Sequence, residues 1–157
     1  MEPRIDARAS KVAMNVVKHL VAANKALHDS GLPVSTQELM KIRASQINGC
    51  GFCLDMHVKD AAAAGEDPVR LALVAAWREA TVFTEAERAA LELAEQGTRI
   101  ADAAGGIPDE VWANAAKHYD EEQLAALVSL IAIINAFNRM NVMIQVPAGD
   151  YTPGQFG

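Results

Sequence analysis

Both cysteines of the chain lie in one short motif, Cys50-Gly-Phe-Cys53, and a histidine, His57, follows four residues later. Residues three and four apart share a helix face, so a helix beginning near Cys50 would align both thiols with the imidazole. The first turn of a helix also favours a thiolate, because its N–H groups are unpaired and the helix dipole is positive there. His57 could take the proton of the Cys53 thiol or stabilise its anion. The motif therefore points to thiol redox chemistry, a metal site or a pair of buried cysteines.

A carboxylate is expected to join this row from the preceding helix. Asn48-Gly49 is predicted to end that helix and reverse the chain, because both residues tolerate the left-handed conformation. Glu38 lies ten residues before the turn and His57 eight residues after Gly49, which at about 1.5 Å per residue gives roughly 15 Å and 12 Å along the two axes. We therefore expect the carboxylate to stand beside the imidazole and to orient or charge it.

Each of these residues also has an alternative role. The run Ser35-Thr36-Gln37-Glu38 has the form of a capping box, which by itself would explain a glutamate there. Glu38→Gln would then keep most of the stability, because glutamine serves in a capping box nearly as well. A zinc site is the other alternative, with Cys50, Cys53, His57 and Glu38 as four ligands. Structural zinc sites usually combine two separated ligand pairs from loops, which disfavours it.

Composition limits the classes of protein to consider. The 157 residues fit a single domain, 1–157, with 51% apolar residues in the whole sequence and a net charge of −6. Mixed charges throughout the chain give no indication of a nucleic-acid surface. The polar N-terminus predicts no signal peptide, so we expect a cytoplasmic protein. The most apolar stretch, 124–137, is shorter than the roughly 18 residues of a membrane span and is predicted to be a buried helix.

The periodicity of apolar residues predicts an all-α fold of about seven helices. The predicted helices span about 7–29, 35–48, 50–65, 68–77, 85–100, 109–118 and 121–144, and the tail from Pro147 is predicted to be irregular. The last helix is apolar on most of its circumference, so it must be central or must contact another subunit. Oligomerisation is therefore expected on physical grounds.

The segments 77–79 and 135–139 place polar groups beside apolar ones and are expected to make structural hydrogen bonds.

The run Glu38-x₁₁-Cys50-Gly-Phe-Cys53-x₃-His57 resembles the alkylhydroperoxidase AhpD-like group of the carboxymuconolactone decarboxylase superfamily. The segments 77–79, 83–88 and 134–139 extend the resemblance over about 38–145. It implies an all-helical, cofactor-free thiol peroxidase for hydrogen or organic hydroperoxides, assembled as a homo-oligomer, usually a trimer or hexamer.

The resemblance also implies roles for individual residues. Cys53 would attack the peroxide, Cys50 would resolve the product as a disulfide, and His57 and Glu38 would relay protons. A lipoyl-bearing or thioredoxin-like dithiol partner would restore the thiols. Better-known members carry a histidine where this chain has Phe52. That departure keeps open a dithiol–disulfide oxidoreductase with little peroxidase activity.

Overall fold

The computed structural model describes residues 2–103 and 105–156, and within them the chain forms seven α-helices and no strand. The predicted all-α fold of about seven helices is therefore confirmed. In chain order the helices are α1 (Lys11–Lys25), α2 (Val34–Asn48), α3 (Gly51–Ala63), α4 (Pro68–Leu73), α5 (Glu85–Thr98), α6 (Asp109–Ala115) and α7 (Glu121–Ile144). Short 3₁₀ turns follow α1 at Ala26–Ser30 and α4 at Val74–Ala76.

Three of the predicted helix starts are confirmed by side-chain caps. Asp67 accepts hydrogen bonds from the first turn of α4, which opens with a proline. Thr84 and Glu87 form a reciprocal capping box at the start of α5, and Asp120 and Gln123 form another at the start of α7. These caps satisfy backbone N–H groups that have no partner inside a helix, so they explain where the three helices begin.

The predicted capping box at the start of α2 is wrong. The helix begins at Val34, its N-cap is Pro33, and no side chain caps it. Pro33 has no N–H for Glu38 to accept, and the early start puts Glu38 in the second turn instead of the first. The carboxylate is therefore not needed by the helix end, and it is free to make contacts with other helices.

Several other helices are shorter than predicted. The first begins at Lys11, where Ser10 caps it, and its last predicted residues form a 3₁₀ turn. The helix α4 likewise tightens into a 3₁₀ turn before Trp77, and α6 ends at Ala115. Tightening of the last turn is common where a helix ends, and periodicity does not distinguish it from a continuing helix.

The helix α2 lies at the centre of the fold and packs against α3, α5 and α7. One apolar cluster, which includes Met40, Leu93 and Leu130, fills the space towards α7. A second cluster fills the side towards α3 and α4. It contains Leu39, Ile42, Ala61, Leu71, Val74, Trp77, Phe83 and Leu91. Both clusters include side chains of α2, so packing fixes the position of this helix from two sides.

A partly buried ion pair also fixes α2 against α5. Glu95 accepts hydrogen bonds from the Arg43 guanidinium at 2.7 Å and from the Trp77 indole N–H at 3.0 Å. Burial alone raises the pKa of the Glu95 carboxyl, and these two donors together with the charges of Arg43 and Arg78 lower it overall. The expected structural role of Trp77 is therefore confirmed.

The helix α7 is longer than the apolar stretch that predicted it. With 24 residues it is long and apolar enough, by length and composition alone, to span a membrane. The stretch 124–137, which is shorter than a membrane span, is only the most apolar part of this helix. One face of α7 nevertheless packs in the protein core, where Leu127, Leu130 and Ile134 are buried together with Asn138. Core packing therefore accounts for the apolar residues of this face.

Candidate active site

A glycine turn connects the two helices that carry the predicted site. Gly49 adopts the left-handed conformation, with φ 67° and ψ 30°, and ends α2 as predicted. The N–H of Cys50 donates to the carbonyl oxygen of Ser45 at 3.0 Å, which closes the turn. Cys50 itself is extended and is the N-cap of α3. The turn therefore places the first thiol at the positive end of a new helix.

The two thiols are in contact at this helix start. The sulfur atoms of Cys50 and Cys53 are 2.7 Å apart, and the Cys53 N–H donates to the Cys50 sulfur at 3.4 Å. Both cysteines are free thiols, and each is only 1% exposed. A disulfide bond is about 2.05 Å long, so the pair can close with little movement of the backbone.

Asparagine side chains from α7 reach the thiols. The Asn141 amide donates to the Cys53 sulfur at 3.3 Å. Asn138 is fully buried, donates to the Ser45 hydroxyl at 3.0 Å and accepts from the Asn48 amide at 2.9 Å. These amides join α2, α3 and α7 at the site.

Sequence reasoning assigned only structural hydrogen bonds to the segment 135–139 and did not identify Asn141. The signal was present as asparagines at 135, 138 and 141. That spacing of three puts amides along one face of an otherwise apolar helix.

The two thiols have opposite electrostatic environments. The hydrogen bond from Cys53 lowers the pKa of Cys50 most, burial opposes it, and the Cys53 N–H and the amides of Asn138 and Asn141 lower it further, to about 7. The same contact with Cys50, followed by burial and the charge of the Cys50 thiolate, raises the pKa of Cys53. The lower pKa of the two therefore belongs to Cys50, as the helix-dipole argument predicts.

The predicted contact between Glu38 and His57 is present. The Nδ1–H of His57 donates to Oε2 of Glu38 at 2.9 Å, and the Lys41 ammonium donates to Oε1 at 2.8 Å. Lys41 is buried and was not identified from the sequence, because a lysine within a helix is usually solvated. With Nδ1 bound to the carboxylate, Nε2 is the ring nitrogen left over, and no hydrogen bond to Nε2 occurs in the part of the chain that the structure describes.

The Glu38 carboxylate is held in its charged form by these partners. Burial alone raises its pKa, but the hydrogen bond and charge of His57 and the charge and hydrogen bond of Lys41 outweigh burial. The pKa falls from 4.5 to about 2 as a result. Because Glu38 is this ion-pair partner and not a helix cap, Glu38→Gln is no longer expected to keep most of the stability. It would leave Lys41 buried without its counter-charge.

The site therefore consists of two contacting pairs, Cys50–Cys53 at the start of α3 and Glu38 of α2 with His57 of α3. Across residues 2–103 and 105–156 no hydrogen bond joins His57 to either sulfur. The sulfur atoms are also closer together than zinc would hold them, since two thiolates about 2.3 Å from a tetrahedral zinc stand about 3.8 Å apart. No group of three or more His, Cys, Asp or Glu side chains is arranged for a metal in the described residues. The arrangement fits disulfide formation better than the zinc alternative.

A cavity of about 460 Å³ leads to Cys50. Its lining consists of Gly49, Cys50, Gly51, Asn141, Val142, Gln145, Val146, Pro147 and Ala148. Cys53 is not among these residues. A second cavity, about 360 Å³, lies away from the thiols, between Arg78, Phe83 and Arg88. Its Arg88 guanidinium donates to the backbone carbonyls of 77, 78 and 80 and therefore has a structural role.

Comparison with known proteins gives a consistent result. Residues 15–96 match the carboxymuconolactone decarboxylase family. The uncharacterized protein YdfG of Bacillus subtilis (strain 168) is 40% identical over 132 residues, which cover 84% of this chain and 88% of that protein.

Two solved structures are also similar. A protein of unknown function from Agrobacterium tumefaciens, described as a candidate antioxidant defence protein AhpD, has a TM-score of 0.86 and 34% identity, covering 96% of this chain and all of the other. The debrominase Bmp8 has a TM-score of 0.74 at 21% identity, covering 88% and 75% of the two chains. At that identity the second likeness shows the fold alone.

The Glu38 ion pairs predict how stability depends on pH. A carboxyl whose pKa is lowered by folding stabilises the protein above its unfolded pKa, and this contribution is lost as pH falls through the folded value. The unfolding free energy of the parent should therefore exceed that of Glu38→Gln most above pH 4.5, and the difference should shrink towards pH 2. At about 1.36 kcal/mol per pKa unit the pH-dependent part is about 3 kcal/mol.

Urea unfolding at a series of pH values measures this difference. Glu79→Gln, at an exposed glutamate outside any ion pair among the described residues, is the matched control and should change stability little. Parallel pH curves for Glu38→Gln and the parent would show that the carboxylate is not held by its partners.

Proposed function

Since the chain belongs to the carboxymuconolactone decarboxylase family, we propose that it is a thiol-dependent peroxidase that reduces hydrogen peroxide or organic hydroperoxides. The observation that carries the proposal is the contact of two free thiols, with sulfur atoms 2.7 Å apart, at a helix start that a cavity reaches. The Agrobacterium protein, described in terms of antioxidant defence, agrees with this function.

The proposed reaction is a dithiol–disulfide cycle. A thiolate attacks one oxygen of the hydroperoxide, so that an S–O bond forms, the O–O bond breaks, and the released alkoxide or hydroxide takes up a proton. The sulfur becomes a sulfenic acid, and the neighbouring thiol condenses with it to give a disulfide and water. A dithiol reductant then restores both thiols by exchange and becomes a disulfide itself. Each catalytic cycle converts an organic hydroperoxide and a dithiol into an alcohol, one water and a disulfide. With hydrogen peroxide the products are two waters and a disulfide.

The environments of the two thiols support attack by Cys50. The resemblance implies the opposite order, with Cys53 attacking the peroxide. Cys50 lines the cavity and its pKa is lowered to about 7, whereas Cys53 lies outside the cavity lining and its pKa is raised. The thiolate is the nucleophilic form of cysteine, and a peroxide entering the cavity meets Cys50 first. We therefore propose that Cys50 attacks and that Cys53 resolves.

The Glu38–His57 pair is proposed to move the protons of this cycle. Glu38 fixes the imidazole through Nδ1, which leaves Nε2 to accept or donate a proton. His57 lies one turn beyond Cys53 on α3, and both side chains are buried. The proton lost by the resolving thiol and the proton taken up by the leaving oxygen would pass through this imidazole.

We also propose a reductant and a compartment for this cycle. A lipoyl-bearing or thioredoxin-like dithiol protein, in the cytoplasm, would keep the pair reduced. The burial of Cys50, which is 1% exposed, favours the slender lipoyl group of these two. The acidic net charge of −6 supports neither a nucleic-acid partner nor an anionic membrane surface.

One observation favours the alternative of a dithiol–disulfide oxidoreductase with little peroxidase activity. Phe52, between the cysteines, packs its ring against Phe156 with centroids 6.3 Å apart, and it offers no group for proton transfer. In that case the disulfide would still cycle with dithiols, but peroxide would oxidise it slowly.

Replacing either cysteine tests the proposed function. Cys50→Ser and Cys53→Ser should each abolish peroxide consumption supported by dihydrolipoamide, because neither variant can form the internal disulfide. Met56→Leu is the matched control, since it removes a different sulfur atom from α3 and should keep the activity. Full turnover in either serine variant would contradict the proposal.

The same variants test the order of attack. After one equivalent of peroxide, Cys53→Ser should carry a sulfenic acid on Cys50 that a 1,3-dione labels, and Cys50→Ser should be labelled far less. The reverse pattern, measured by mass spectrometry, would restore the order implied by the resemblance.

Replacing the relay residues tests the acid–base role. Glu38→Gln and His57→Asn should each slow single-turnover disulfide formation by about 10²–10⁴-fold. The double variant should be little slower than either single one, because the two residues act as a unit. Thermal melting identifies conditions in which all three are folded. If Glu38→Gln turns over like the parent while His57→Asn is inactive, His57 acts without the carboxylate.

We also propose a homo-oligomer, in line with the trimers or hexamers implied by the resemblance. No residue of α1 is buried, and its apolar residues Val12 (75% exposed), Met14 and Val16 are open to solvent. Val128 and Met143 of α7 are similarly exposed. Helices with exposed apolar rows are typical of subunit contacts.

Light scattering tests this assembly. The parent should have the mass of a trimer or hexamer, and Val12→Asp combined with Val16→Asp should reduce that mass to a monomer's. Val69→Asp is the matched control, because this valine on α4 is 61% exposed and lies outside the proposed contact. A monomeric parent would contradict the proposal.

A further inference from the structure

The chain after α7 folds back onto the helix that carries the thiols. Gln145 adopts a left-handed backbone, with φ 57°, and redirects the chain after Ile144. Residues 146–156, here termed the C-terminal strap, then follow α3. The Lys59 ammonium donates to the carbonyl oxygens of Gly149 and Tyr151, each at 2.9 Å.

Two carboxylates of α3 hold the strap by its backbone and by its tyrosine. Asp55 accepts the N–H groups of Gly149 at 2.8 Å and Tyr151 at 3.1 Å. Asp60 accepts the Tyr151 hydroxyl at 2.9 Å and the N–H of Gly154 at 3.1 Å. Hydrogen bonds to charged groups are among the strongest in proteins, so the strap is fixed although it has no regular secondary structure of its own.

The strap forms one wall of the cavity at Cys50. Its first residues, Val146, Pro147 and Ala148, line the cavity opposite the turn that holds the thiol. A Cβ atom placed on Gly51 would stand 3.3 Å from the Ala148 side chain, so the strap crosses the start of α3 in close contact. The distance between the strap and the thiol is therefore set within one helix, which carries both the thiols and the anchors.

The C-terminal strap limits which molecules can reach the Cys50 thiol. Cys50 is 1% exposed, and a molecule that approaches it through the cavity passes the strap. The nearby lining is apolar at Val142 and at the strap, with the amides of Asn141 and Gln145 beside it. Such a passage suits a slender and mainly apolar molecule.

We propose that the C-terminal strap is the size filter of the Cys50 site, held by Asp55 and Asp60 and admitting slender, mainly apolar molecules while excluding bulky ones. The proposal rests on the proposed function only in taking Cys50 as the reactive thiol. It identifies the strap as the segment that determines which molecules reach this thiol.

Alkylation by two maleimides tests the filter without any peroxidase assay. N-methylmaleimide is small, whereas fluorescein maleimide carries the same reactive group on a bulky, rigid ring system. Tyr151→Phe removes the hydroxyl that binds Asp60 and keeps the ring. The bulky reagent reacts only when the strap opens, so its rate at Cys50 should rise about tenfold or more when this charge-assisted hydrogen bond is lost. The rate of N-methylmaleimide should change by less than about twofold, because it enters with the strap closed.

The other tyrosine of the chain provides the matched control. Tyr119 and Tyr151 are both 7% exposed, and the Tyr119 hydroxyl donates to the carbonyl of Ala86, away from the cavity. Tyr119→Phe should leave both alkylation rates unchanged, and Asp60→Asn should reproduce the effect of Tyr151→Phe. Peptide mapping by mass spectrometry identifies the labelled cysteine.

Two results would overturn the proposal. One is a fluorescein maleimide rate in Tyr151→Phe that matches Tyr119→Phe. The other is an equal acceleration of both maleimides, which would indicate general loosening of the site. Loss of peroxidase activity in the serine variants with an unchanged maleimide ratio would support the proposed function and refute the filter. A raised rate of fluorescein maleimide alone in Tyr151→Phe, together with full peroxidase activity in the serine variants, would support the filter and refute the proposed function.

Discussion

The left-handed backbone of Gly49 is the constraint on which the site depends. No atom lies within 4 Å of the place where a Cβ would stand, so the position needs the conformational freedom of glycine and not its small size. This turn ends α2 and starts α3 after one residue, which makes Cys50 the N-cap. It also returns α3 along α2, so that His57 meets Glu38 at 2.9 Å. A residue that resisted this conformation would disturb the thiol pair and the Glu38–His57 contact together.

The Cys50–Cys53 pair and the Glu38–His57 pair each place a group that can carry a negative charge in a buried position, and different partners stabilise the two charges. A buried negative charge is costly unless partners compensate it. A negative charge on Cys50 is stabilised by the Cys53 thiol and N–H and by the amides of Asn138 and Asn141, whereas the charge on Glu38 is stabilised by His57 and Lys41. Both sets of partners sit on helices whose positions are fixed by the core. The charged forms of both groups are therefore stabilised by partners that are already in place.

Local rules predicted most of the helix starts, because caps and glycine stops depend on a few neighbouring residues. The same counting placed Glu38 beside His57, since the rise per residue of a helix is constant. Local rules failed where residues far apart in the sequence determine a helix start or a side-chain contact. The capping box at Ser35 was wrong because Pro33 already starts the helix, and Lys41 became visible only as the partner of a buried carboxylate. The Asn141–Cys53 contact joins residues 88 apart, a distance that periodicity does not address.

The C-terminal strap is another case in which local rules do not predict long-range contacts, and it also gives Phe52 a structural role. Prolines and glycines correctly predict that the segment from Pro147 has no regular structure, but not that α3 holds it with two carboxylates and a lysine. Phe52 extends from the same helix towards this tail and contacts Phe156. Where the resemblance expects a histidine, this chain thus uses an apolar ring that supports the strap. If the proposed relay operates, Glu38 and His57 carry the acid–base work at this helix start without help from position 52.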